Sequence, residues 1–86
     1  MAQMSLNEAV VATLRAEAAA KSVSIRHLAK LSGMSSNTLN NYVYRGRIFN
    51  LDVIEAVAGG LEMPPEELMR LAIERQERGS GDETGE

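Results

Sequence analysis

Five cations, Lys21, Arg26, Lys30, Arg45 and Arg47, stand between residues 18 and 51, with His27 among them and no aspartate or glutamate anywhere in that window. Inside it, Ser35, Ser36, Asn37, Asn40 and Asn41 bring hydroxyls and amides, with no charge until Arg45. Guanidinium and ammonium groups meet phosphate oxygens, whereas a neutral amide can donate and accept at once, as an adenine edge requires. Phosphate grip at the margins and base reading in the middle point to docking on double-stranded DNA. The chain as a whole is acidic, with a net charge of −3 over 86 residues. A local field, rather than that total, decides whether a face meets phosphate.

The elements that must position these groups read as five helices. Leu6, Val10, Leu14 and Ala18 recur four apart, which predicts a first helix from about Leu6 to Lys21. Ser5 is its N-cap, and Glu8 completes a capping box. A second helix runs from about Ile25 to Leu31 behind Ser24, with Ile25, Leu28, Ala29 and Leu31 apolar. A third follows Ser35 and reaches about Tyr44, with Leu39, Tyr42 and Val43 inward. That leaves Ser36, Asn37, Asn40, Asn41 and Tyr44 outward. A fourth spans about Leu51 to Leu61 behind Asn50, with Asp52 near the positive end of its dipole. Pro64-Pro65 then opens a fifth, ending near Gln76. One domain, 1–77, is expected, with 78–86 a disordered acidic tail without an apolar residue.

The joint between the second and third helices carries a steric pattern. Ala29 is small enough to let one helix cross close to the other, Gly33 permits a left-handed turn, and Met34 plugs it. Leu39, six residues beyond Gly33, anchors the next helix. This is the spacing of a DNA-binding helix-turn-helix. The three asparagines support it from another side, because Asn is a poor helix former and its use there costs stability.

Other function classes are poorly served. With no cysteine and one histidine, neither a disulfide framework, a thiolate site nor a histidine metal site is expected. His27 has no nucleophile pattern or helix carboxylate beside it, and no phosphate-binding glycine motif appears. An enzyme, a cofactor and a small-molecule substrate are therefore not expected. No run is long enough to span a bilayer, so a soluble cytoplasmic protein is the default. Only Tyr42, Tyr44 and Phe49 are aromatic, which favours packed aliphatic helices. Tyr42 reads as core and Phe49 as packing the loop onto the fourth helix. Tyr44 reads equally well as packing or as a stack on a base or sugar. Met63 and Met69 read as gap-filling core.

From SIRHLAKLSGMSSNTLNNYVYRGR through LDVIEAVAGGLEMPPEELMRLA, the chain resembles the lambda-repressor-like, Xre/Cro-type helix-turn-helix domains. The resemblance covers about Leu6 to Ile73. It rests on Leu28-Ala29, Gly33-Met34, the Arg45-Gly46-Arg47 loop and the LEMPPEELM segment. It implies an all-α, compact five-helix bundle with the helix-turn-helix in helices 2 and 3. It also implies sequence-specific DNA binding by a bacterial or phage transcriptional repressor acting as a dimer. Carried onto this chain, it makes Ser35, Ser36, Asn37, Asn40 and Asn41 base readers, with Tyr44 a weaker candidate. Arg26, Lys30, Arg45 and Arg47 become phosphate contacts. NYVYRG runs one residue longer before its glycine than the family's tyrosine-x-arginine-glycine form. His27 stands where Glu or Gln is frequent.

The fifth helix hints at a partner. Leu68, Leu71 and Ala72 form one stripe, while Met69 and Ile73 lie roughly 100° around it, the rotation per helical residue. A homodimer with Met69 and Ile73 at the interface is expected, placing two recognition helices one duplex turn apart. A phage-type repressor and an antitoxin-type autoregulator both fit, with control by dimerisation or by a regulatory protein partner. The alternative is a protein-interaction module that keeps the fold without the DNA. The exclusion of acidic residues from residues 18–51 argues against it.

Overall fold

The computed structural model describes residues 4–85, with side chains through residue 78. Five helices follow in order: α1 Leu6–Ala20, α2 Ile25–Leu31, α3 Ser36–Tyr44, α4 Leu51–Gly60 and α5 Pro65–Gly85. There is no strand among the described residues.

Each of the first four helices starts where a side chain can take an orphan amide. Ser5, Ser24, Ser35 and Asn50 accept from the N–H groups of Glu8, His27, Thr38 and Val53 at 2.8–3.1 Å. Each such cap contributes about 1 kcal/mol. At α1 the box is closed as expected, because Glu8 Oε1 accepts the Ser5 N–H at 2.8 Å.

Three helix ends share one geometry. Val23 N–H donates to Ala18 O, Met34 N–H to Ala29 O and Met63 N–H to Ala58 O, at 2.8–3.0 Å. Ser22, Gly33 and Glu62 take the left-handed conformation at φ 58°, 77° and 62°. This is the Schellman closure, in which an apolar residue just past the turn folds back over the helix end. After the first two closures a serine cap starts the next helix at once. Ala18–Leu28 and Ala29–Leu39 are therefore two copies of one joint, which delivers α2 and then α3.

The core is aliphatic. Leu14, Leu28, Leu39, Val57, Leu61 and Leu68 are fully buried. α1 packs chiefly on α5, and α2 on α3 and α4. Thr13 is also buried, its hydroxyl accepting from Arg75 Nε at 3.2 Å across the α1–α5 seam. Leu6 and Leu31 depart from the expected apolar rows, being 39% and 50% exposed. Leu6 precedes the first full turn and Leu31 closes a helix of seven residues, so neither has a complete neighbouring layer. α5 runs to Gly85, past the expected end near Gln76 and into the segment 78–86 read from the sequence as a tail.

Candidate nucleic-acid interface

The two joints set α3 against α2, with Ala29 and Leu39 wholly buried where the helices meet. Leu39, Tyr42 and Val43 turn inward. On the opposite side Asn37 is exposed, while Ser36, Asn40 and Asn41 are half-buried. Tyr44, the last residue of α3, is 59% exposed. Positions 37, 40, 41 and 44 fall three and four apart, so they share one face. Ser35 stands slightly apart from this group. Its hydroxyl caps α3 and also donates to Thr38 Oγ1 at 2.9 Å.

Arg26, Lys30, Arg45 and Arg47 are all exposed. None forms an ion pair with a described residue. Arg70 on α5 behaves oppositely. It meets Glu67 at 2.8 Å and Glu74 at 2.7 Å. The Glu67 hydrogen bond and charge, then the Glu74 charge, hold its guanidinium above its ordinary value. Arg70, flanked by carboxylates on its own helix, pairs within the fold, whereas the four cations of the acid-free window make no such pair with a described residue.

The loop after α3 is held tightly. Gly46 takes φ 76°, and the Asn41 carbonyl accepts from Arg45 N–H at 3.3 Å and from Arg47 N–H at 3.1 Å. From α1, Asn7 Oδ1 accepts the Phe49 N–H at 2.9 Å, while its Nδ2 donates to Arg47 O at 3.4 Å. One amide thus clamps both ends of the Arg47–Phe49 backbone. Arg47 lies over the Tyr42 ring with Cζ 5.1 Å from the centroid. Phe49 packs its ring on Tyr42 of α3 at 4.9 Å and also lines a groove with Leu51 and Ile54 of α4. From α1, Arg15 lies over the exposed Tyr44 ring at 5.6 Å.

Asn7 and Arg15 are the residues that sequence reasoning passes over. Asn7 satisfies no cap or period, and its partners are 40 and 42 positions away. Arg15 lies outside the acid-free window, two residues before Glu17.

His27 donates its backbone N–H to Ser24, and no cluster of metal-ligating side chains forms among the described residues. No helix among the described residues is long and apolar enough to cross a membrane.

Two crystal structures of the clp gene regulator ClgR from Corynebacterium glutamicum share this arrangement. One gives a TM-score of 0.85 at 23% identity, covering 96% of this chain and 88% of that one. The other gives 0.76 at 24% identity, covering 87% and 96%. At that identity the likeness establishes the fold. No curated protein matches the chain. The family model for Cro/C1-type helix-turn-helix DNA-binding domains matches residues 3–72. With most of its length matched and its second and third helices joined in the required geometry, the chain belongs to the family of Cro/C1-type helix-turn-helix DNA-binding domains.

Proposed function

We propose that this chain is a transcriptional repressor that lays α3 in the major groove of operator DNA and excludes polymerase from the site. The observation that carries the reading is the uncharged amide face of α3 flanked by exposed cations that make no ion pair with a described residue. Ser36, Asn37, Asn40 and Asn41 read bases. Ser35, with its hydroxyl already in the cap, is a reader through whichever lone pair remains. Arg26, Lys30, Arg45 and Arg47 contact phosphates and set the register without reading sequence. The fold shared with a clp gene regulator supports gene control as the class of activity. The reading includes a cytoplasmic location and an acidic extension after residue 77, outside the domain; the family match ends at residue 72.

The repressor acts as a homodimer with Met69 and Ile73 at the interface. Ile73 is 42% exposed. Met69 lines an apolar groove with Leu6, Ile48, Leu51 and Ile54. The same groove supports a second reading, an antitoxin-type autoregulator in which a partner protein covers that face. Binding to randomised duplexes at several salt concentrations tests the proposal. Selection of one sequence, with a steep fall in affinity as salt rises, supports it. No binding at low salt overturns it.

A further inference from the structure

Arg15 is a cation the acid-free window does not contain, yet the fold brings it to the end of the recognition face. Its guanidinium lies 5.6 Å from the centroid of Tyr44, within the range of a cation–π contact. Tyr44 closes the row that begins at Asn37. A contact of the cation with a ring face uses none of the guanidinium's five N–H donors as hydrogen bonds. Arg15 is exposed and makes no ion pair with a described residue. Glu8, which lines the same shallow cleft between α1 and the end of α3, turns its Oε1 to the Ser5 N–H in the α1 capping box and makes no ion pair with Arg15. Arg47 repeats the arrangement on Tyr42, two residues earlier on α3. Two arginines distant in sequence are thus each held against a tyrosine of the same helix.

We propose that Arg15 is a further phosphate contact, delivered from α1, and that the Tyr44 ring is its positioning residue rather than a base reader. The inference rests on the DNA-binding reading and extends the phosphate row from the loop onto the first helix. The contact with the ring restricts a side chain that would otherwise sweep freely over an exposed helix face. The donors then sit where a backbone oxygen flanking the groove can take them.

The test is a set of binding isotherms at several salt concentrations, on the duplex the wild-type chain selects and on an unrelated duplex. Arg15→Gln is expected to weaken both duplexes alike, by about tenfold, as befits one charged hydrogen bond. It should also flatten the slope of log K against log salt by about 0.9, the value of one phosphate. Tyr44→Phe keeps the ring and is expected to leave slope and sequence preference unchanged. Tyr44→Leu should weaken binding in the wild-type background and have little further effect beside Arg15→Gln. An unaltered slope in Arg15→Gln overturns the inference while leaving the DNA reading standing. So does a changed base preference in Tyr44→Phe, which would make the hydroxyl a reader. A wild-type chain without salt-dependent binding removes the DNA reading itself. Circular dichroism on each variant separates lost contacts from lost fold.

Discussion

The hydroxyl of Ser32 occupies the space in which a side chain at position 60 would begin. A Cβ added to Gly60 would lie 2.6 Å from Ser32 Oγ and 3.0 Å from Leu28 Cδ1. Ser32 caps the end of α2, so α4 rests directly on the helix-turn-helix joint. The hydroxyl is buried there without a hydrogen-bond partner among the described residues.

Gly60→Ala is expected to lower stability by about 1 kcal/mol, overpacking outweighing the better helix propensity of alanine. Ser32→Ala should be neutral or stabilising, because it removes an unsatisfied buried group. Combined, the two changes should recover most of the Gly60→Ala loss. Denaturant unfolding of both singles and the double measures the coupling. Strictly additive effects would show that the two residues do not oppose each other.

Opposite signs are expected at two equivalent turn positions. Gly33 at φ 77° has open space around its Cα, so Gly33→Ala tests backbone strain alone. It should cost about 1 kcal/mol. Ser22 holds the same conformation at φ 58° with a side chain, and Ser22→Gly should gain a similar amount, about 1 kcal/mol, less the entropy glycine adds to the unfolded chain. Thermal unfolding midpoints that moved together would contradict this.

Much of this architecture is legible in the chain because its signals are local. A capping serine and its amide are three residues apart, and a Schellman turn spans six, so Ser5, Ser24, Ser35 and Gly33 announce themselves. The inward trio Leu39, Tyr42 and Val43 follows from helical period alone. Contacts closed by the tertiary fold leave no such trace. Asn7 on Phe49, Arg15 on Tyr44, Arg75 on Thr13 and Ser32 against Gly60 each join distant positions. Nothing in either segment alone marks them. Phe49 illustrates the difference, since its burial is readable but its choice of Tyr42 depends on how the loop returns.

Reading and gripping should separate by mutation. Asn40→Ala is expected to relax preference at one base pair by about 1–3 kcal/mol while leaving non-specific affinity intact. Arg47→Ala should weaken every duplex alike and reduce the salt slope by about one contact. A competition series with single-base variants of the selected duplex distinguishes the two patterns.

Asn7 should behave as a support of the loop. Asn7→Ala strips the Phe49 N–H of its acceptor and frees the Arg47 carbonyl. A loss of about 1–2 kcal/mol in stability is expected from an amide left partly buried without a partner. Faster hydrogen exchange at Phe49 would locate the change. Exchange there as slow as in the wild type would show that the clamp is dispensable.

The fifth helix gives the oligomer test. Ile73→Glu places a charge on an exposed apolar position and should disfavour self-association without unfolding the chain, because Ile73 is 42% exposed. Sedimentation at increasing concentration is expected to show a dimer for the wild type and a monomer for the variant. A wild-type chain that stays monomeric into the high micromolar range, whether or not DNA is bound, would rule out the homodimer.

On the proposed reading, the lack of carboxylate partners among the described residues for Arg26, Lys30, Arg45 and Arg47 also sets how fast the protein finds its target. A cation paired within its own fold must first leave that partner, and the exchange cancels much of the attraction. Arg26, Lys30 and Arg45 would shed only water and small mobile ions, while Arg47 already rests on Tyr42. On that reading, attraction between these cations and the phosphates steers encounter, counterion release favours the complex, and both weaken as salt rises. The same freedom lets the domain hop from one stretch of duplex to the next without remaking an internal bond, so a weak non-specific grip becomes a means of search.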